Sequence, residues 1–177
     1  MIHYQNKYIR IRIFIISIVL IFFHSCGLHE NTVSEEFQAV EKGIWGWKQT
    51  KTFSFEIDDT THYYNIYCGL RITGKYNYSN IWLIYELSEN KLENTSFINS
   101  TITPLLKTQF QIELADQTGR WLGNGMSNLI SFEQPLLLKT KLRKGNYTFK
   151  LSHNMREDLI SGVNDVGIKV EKGQFIL

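Results

Sequence analysis

Tyr64-Asn65-Ile66-Tyr67-Cys68-Gly69-Leu70-Arg71-Ile72 alternates with a period of two. Side chains two apart lie on the same face of a strand. Tyr64, Ile66, Cys68, Leu70 and Ile72 therefore form one buried face, and Asn65, Tyr67, Gly69 and Arg71 the other. Upstream, Phe53, Phe55 and Ile57 alternate with Thr52, Ser54 and Glu56, and Asp58-Asp59-Thr60-Thr61 supplies the turn between the two runs. Downstream, Gly74 to Asn80 is turn-rich. Ile81-Trp82-Leu83-Ile84-Tyr85 is apolar at every position, which predicts a central strand covered on both sides. Residues 88–103 are rich in Ser, Asn and Thr and predict a long exposed connection.

The pattern resumes at Phe110, Ile112 and Leu114. Asp116-Gln117-Thr118-Gly119 reads as a hairpin turn, with Trp121-Leu122 starting the return and Gly123, Asn124 and Gly125 interrupting it. Leu136-Leu137-Leu138 is a further short run, followed by Tyr147, Phe149 and Leu151, and then by Val166, Ile168 and Val170. Met155 to Ser161 is the one short stretch compatible with a helix. About eight short strands without long helical patterns between them predict an all-β fold, an antiparallel β-sandwich of two packed sheets over residues 44–177. The 24 aromatic residues (11 Phe, 9 Tyr, 4 Trp) suit half-buried pleated surfaces.

The amino terminus reads differently. Lys7, Arg10 and Arg12 precede an apolar run, Ile13 to Phe23, broken only by Ser17. Then comes Phe23-His24-Ser25-Cys26-Gly27. A basic start, a short apolar stretch and a small residue before the cut make a secretory signal over residues 1–25. The run is short of the roughly 20 residues that cross a bilayer, so a permanent transmembrane anchor is the weaker alternative. Ser25 and Gly27 flanking Cys26 fit a lipoprotein cleavage site, with Cys26 the acylated first residue of the mature chain and the membrane its partner through that lipid. Phe23 and His24 fit that pattern less well, and an ordinary signal peptide is the alternative. Residues 26–43 then form the lipidated cysteine and a polar tether.

Of 19 Lys plus Arg, Lys7, Arg10 and Arg12 leave with the signal, so 16 basic residues face 17 acidic ones. The mature charge is near −1, which gives nucleic acid no basic face to bind. Only Cys26 and Cys68 are present. A disulfide between them competes with lipidation of Cys26 and burial of Cys68 as a small apolar residue.

Chemistry is sparse. No nucleophile elbow, phosphate loop or zinc-protease motif occurs. His29, His62 and His153 have no nucleophile named beside them, so no catalytic residue is assigned and the chain is expected not to be an enzyme. Asp58, Asp59, Asp116, Asp158 and Asp165 sit where aspartates favour turns, so no metal and no cofactor is expected. Tryptophans more often pack cores than bind sugars. Of Trp45, Trp47, Trp82 and Trp121, the last stands beside turn glycines and is expected to be the most exposed. Trp121, Tyr76 and Tyr78 are the candidate ligand or partner contacts, and a carbohydrate-binding lipoprotein is one function they allow.

Several segments carry a resemblance. Phe53-x-Phe55-x-Ile57-x-Asp59, Tyr64-Asn65-Ile66-Tyr67, Arg71, Tyr78-Ser79-Asn80-Ile81-Trp82, Glu113-Leu114-Ala115-Asp116, Gly119-Arg120-Trp121-Leu122-Gly123-x-Gly125, Gly145-x-Tyr147 and Met155-Arg156-x-Asp158-Leu159, continuing to Gly162-Val163-x-Asp165-Val166-Gly167-Ile168, together resemble the gliding-motility lipoprotein GldH family of the Bacteroidetes. The resemblance spans roughly residues 45–171. It implies a lipid-anchored accessory protein of the cell envelope, working beside other gliding lipoproteins and the type IX secretion machinery. In such bacteria an acidic stretch after the lipidated cysteine directs export to the surface. Gly27-Leu28-His29-Glu30-Asn31 holds one acid, so a periplasm-facing position is expected.

Overall fold

The computed structural model describes residues 31–90, 103–126 and 128–175. The expected signal peptide, Cys26 and most of the expected 88–103 connection lie outside them. Within them are eleven strands: β1 (Thr32–Ala39), β2 (Ile44–Gly46), β3 (Lys51–Ile57), β4 (His62–Thr73), β5 (Asn80–Asn90), β6 (Thr103–Glu113), β7 (Asn124–Met126), β8 (Leu129–Thr140), β9 (Gly145–His153), β10 (Leu159–Ser161) and β11 (Val163–Phe175). One sheet has the order β1-β11-β4-β8-β7 and the other β3-β9-β5-β6, with β2 and β10 forming a small pair of their own. Every pairing is antiparallel. The chain is thus the all-β sandwich that the alternation predicts.

The alternation sets the packing. Tyr64, Ile66, Cys68, Leu70 and Ile72 of β4 and Val166, Ile168 and Val170 of β11 are buried from one sheet. Phe53, Phe55 and Ile57 of β3, Leu83 and Tyr85 of β5, and Tyr147, Phe149 and Leu151 of β9 are buried from the other. All belong to one hydrophobic cluster. Tyr85 stacks on Phe149 and Phe55 on Tyr147, each pair with centroids 5.4 Å apart. Each large side chain buried this way contributes about 2 kcal/mol over exposure, so a one-residue slip of register, which turns the whole set outward, is excluded.

Three expectations are corrected. Residues 32–39, read as part of a polar tether, form β1, which pairs with β11 from Thr32↔Glu171 to Ala39↔Asp165. An edge strand is held by main-chain hydrogen bonds, so it needs little of the apolar alternation that marks inner strands. Met155 to Ser161 is not helical. Bends lead into β10, where Ile160 pairs with Trp45 and is buried, and Trp47 N–H donates to the Asp158 carbonyl at 3.0 Å. The neighbouring β2 takes the backbone bonds that a helix would have made. Finally, β5 is central in its sheet but is covered on one side only. Trp82 is 37% exposed, because among the described residues no third layer packs on this sheet at that position.

Two glycines explain the outer face of the larger sheet. Phe37, Gly167 and Gly69 stand in register on β1, β11 and β4. A Cβ on Gly69 would fall 2.5 Å from the Phe37 ring, and one on Gly167 would fall 2.4 Å from the Glu36 carbonyl oxygen. The ring lies across both glycines, as aromatics do when they cover the bare backbone of a sheet. The Arg71 guanidinium caps it, 3.9 Å from the centroid, and also pairs with Asp165 at 3.4 Å. Pro135 sits in β8 beside an irregularity in its pairing with β4, where a missing N–H is tolerated.

Candidate functional site

Strand directions give the sandwich two ends. One end gathers the close of β4, the opening of β5, the close of β9, and β2 with β10. It is built from connecting segments: Thr73 to Ser79, Leu114 to Gly123, and Asn154 to Asp158. Three of the segments that carry the family resemblance, Tyr78–Trp82, Glu113–Gly125 and Met155–Gly162, converge here, while Phe53–Asp59 runs to the opposite end.

Backbone bonds lock these loops together. Tyr76 is buried, and its hydroxyl donates to the Asn80 carbonyl at 2.9 Å. Leu114 and Ala115 N–H groups both donate to the Ser79 carbonyl, at 2.7 and 3.0 Å. Gly162 has φ +88°, and a Cβ there would fall 2.3 Å from the Tyr76 backbone nitrogen. Only glycine meets both conditions. Its N–H and carbonyl bond Gly43 and Thr73, each at 2.8 Å. The Asp116 turn forms around a carboxylate that accepts from the Thr118 and Arg120 N–H groups at 2.9 and 3.0 Å and from Arg120 Nε at 3.1 Å. The Thr118 hydroxyl, followed by the Arg120 N–H, holds that carboxyl below the usual carboxylate range.

On one side of this end lies an open groove of about 470 Å³ lined by Tyr78, Asn80, Trp82, Gln109, Asn154, Met155, Arg156 and Glu157. Trp82 N–H donates to the Met155 sulfur at 3.2 Å, and Asn154 N–H to the Trp82 carbonyl at 2.8 Å. The indole and the Met155 segment are thereby held side by side. Tyr78 stands edge-on to Tyr76, with centroids 5.6 Å apart. Desolvation holds its phenol above the ordinary value, and the Glu157 charge adds to the effect. The groove combines a flat aromatic face, a thioether and amide, guanidinium and carboxylate groups. A wider hollow of about 740 Å³ opens on the same end, with Lys42, Thr73, Lys75, Ser161 and Asn164 among its walls. Between and around them Ile44, Trp47, Leu122, Leu129 and Leu159 are exposed, Leu159 at 64%.

The residues singled out from sequence divide. Tyr78 lines the groove. Tyr76 is buried beneath it and offers no surface to a ligand. Trp121 is half-buried against the core, bridged through its backbone to Ala115. Trp47 and Trp82 are exposed instead. Sequence reading passed over Trp82 because it lay in an all-apolar run, and Met155 and Arg156 because they lay in an expected helix. The signal available was their membership of the resemblance segments. Cys26 lies outside the described residues.

His153, Cys68 and Asp59 are held within the fold. His153 is buried, its Nε2 hydrogen donated to the Trp45 carbonyl at 3.1 Å and its Nδ1 accepting from Met155 N–H at 3.4 Å. Desolvation lowers its pKa, so it is a neutral core histidine. Cys68 is free and fully buried, and its thiol is pushed up to about 12. Asp59 accepts from the Thr61 hydroxyl and N–H at 2.6 and 2.8 Å and contacts His62 and Lys172. The Thr61 bonds dominate in holding it far below the usual range. Among the described residues no cluster of three or more His, Cys, Asp or Glu side chains is arranged to hold a metal. No helix among them is long and apolar enough to cross a membrane.

Fold and site together define a two-sheet antiparallel sandwich whose loops gather a groove and exposed apolar side chains at one end. The family model described as GldH lipoprotein matches residues 32–170, and the chain belongs to that family. It is 26% identical over 172 residues to the gliding motility lipoprotein GldH homolog of Christiangramia forsetii. It is 25% identical over 168 residues to the gliding motility lipoprotein GldH of Flavobacterium johnsoniae. Each match covers 90% of this chain and 94% of the relative. Among solved structures, Eiger TNF from S. frugiperda matches with a TM-score of 0.39 at 9% identity, covering 84% of this chain and 96% of its own. A likeness that low carries no argument here.

Proposed function

We propose that this protein is a gliding-motility lipoprotein of the cell envelope, acting as a non-catalytic interaction component of the motility machinery and its associated type IX secretion apparatus. Acyl chains on Cys26 hold it to a membrane, facing the periplasm. The observation that carries the reading is the loop end. There three of the segments that carry the family resemblance meet, and large apolar side chains, Ile44, Trp47, Trp82, Leu122 and Leu159, stand exposed. Exposed apolar groups gathered among polar ones mark docking surfaces. The burial of Cys68 leaves Cys26 as the cysteine for the acyl group of a lipoprotein.

Affinity purification of the tagged protein from crosslinked membranes is expected to recover envelope proteins. Trp82→Ala combined with Leu159→Ser is expected to lose them while the protein stays folded and abundant. Deletion of the gene is expected to impair surface spreading or secretion. Wild-type behaviour in both assays overturns the reading.

One observation favours a second reading, glycan binding. Trp82 presents an exposed indole in a groove rimmed by Asn80, Gln109, Asn154 and Arg156, the kind of face on which a sugar ring stacks. A glycan array with binding lost in Trp82→Ala supports this reading, and a blank array removes it.

A further inference from the structure

We propose that the opposite end of the sandwich, where β8 and β11 close and β4 opens, lies against the phospholipid headgroups of the membrane that carries the protein. The proposal rests on the acylated Cys26 above.

The argument begins with chain length. The Asn31 carbonyl accepts from Lys172 N–H at 2.7 Å, and Thr32 pairs with Glu171. Entry into the fold is thereby pinned beside the close of β11. Cys26 lies five residues earlier, and even fully extended that span covers only about 17 Å. A lipid on Cys26 therefore keeps this end, and not the loop end, close to the bilayer.

The side chains found there suit that position. Leu138 is 57% exposed and Phe175 66%. Leu138, Lys139 and Lys172 line an open hollow of about 460 Å³ beside Asn31. Lys139, Lys141 and Lys144 are exposed, the Lys141 ammonium lying 5.4 Å from the centre of the Tyr63 ring. Of the described carboxylates at this end, Asp59 is occupied by Thr61, His62 and Lys172, Glu89 pairs with Arg143 at 3.4 Å, and Glu171 pairs with Lys169 at 3.1 Å. Asp58 and Glu56 are exposed and oppose the lysines. Lysines beside exposed apolar side chains match a headgroup layer, where the apolar groups lose contact with water and the ammonium groups meet phosphate. The attraction fades within about 8 Å in physiological salt, so it needs the short span to Cys26 to act.

The test uses the full chain, purified from its own membranes and placed in vesicles of zwitterionic and anionic phospholipid. Leu138→Cys, and Leu122→Cys at the loop end, each receive an environment-sensitive dye. Cys68 is fully buried and takes no label, and an acylated Cys26 has no free thiol. The expected result is blue-shifted emission at Leu138→Cys, with intensity lost to lipid-borne nitroxide, and neither change at Leu122→Cys. No quenching at Leu138→Cys overturns the proposal. A blue shift without lipid quenching also overturns it, because it assigns this end to a protein neighbour. Mass spectrometry of the N-terminal peptide separates the two readings. With Cys26 acylated and Leu138→Cys unquenched, the orientation falls and the lipid anchor stands. With Cys26 unmodified, both fall.

Discussion

Single residues here show how a polar or bare position can be structural. His153 is satisfied on both ring nitrogens as a neutral group, and burial lowers its pKa from the ordinary 6.5. Well above pH 6.5 it is neutral folded or unfolded and adds no pH dependence. As pH falls through 6.5 the unfolded chain takes up the proton first, so stability falls with pH, by at most about 1.4 kcal/mol per pH unit for one group. Denaturant unfolding at pH 7.5 and pH 5.5 is expected to show this drop, and His153→Gln is expected to shrink it. A flat profile in the native chain removes the assignment. Cys68, with its thiol pushed up to about 12, is expected to ignore aromatic disulfide reagents until the protein unfolds; fast labelling of the native chain contradicts its burial. The Phe37 cover over Gly69 is testable by a double-mutant cycle. Gly69→Ala is expected to destabilise through the 2.5 Å clash with the ring, and Phe37→Ala is expected to relieve part of that cost. A coupling of about 1 kcal/mol is expected, and strict additivity denies the contact.

At the scale of elements, the period-two stretches were legible and the edge pieces were not. β3, β4 and β9 follow from alternation because each has one buried face. β1 was missed because its stability comes from backbone bonds to β11, and its side chains, such as Glu35 and Glu36, remain exposed. This has a practical consequence. A soluble chain beginning at Asn31 is expected to fold, while one beginning at Glu41 loses β1 and with it the Phe37 cover. Thermal melting is expected to place the shorter chain well below the longer. Equal melting temperatures return residues 32–39 to the status of a tether. β10 was missed for a related reason: three residues, paired only with β2, carry too little pattern to be read. Gly162→Ala, which meets the Tyr76 backbone at a φ of +88°, is expected to cost at least about 2 kcal/mol and to loosen the whole loop end.

For the whole molecule, the class of fold could be read from sequence but the site could not. Exposure of Trp82 depends on how many layers the protein has. A local run of apolar residues reads the same whether a sheet is covered on one side or both. Tyr76 and Tyr78, two residues apart, give the same signal in sequence, yet one lies beneath the groove and the other lines it. The strand directions then separate a loop end rich in exposed apolar groups from an end joined closely to Asn31. A photo-crosslinker at Leu159 is expected to capture protein, and one at Leu138 lipid. The reverse pattern inverts the molecule.

The pairing of β1 with β11 bears on force. On the proposed arrangement, with the anchor on Cys26 and the load at the loop end, tension enters at Thr32 and runs along the strand. It draws β1 lengthwise past β11, whose antiparallel rungs run from Thr32 to Ala39. Those rungs share the load together instead of parting one at a time, as they would if the strand were peeled sideways. The edge strand through which the proposed anchor would pull on the sandwich is therefore placed to resist that pull.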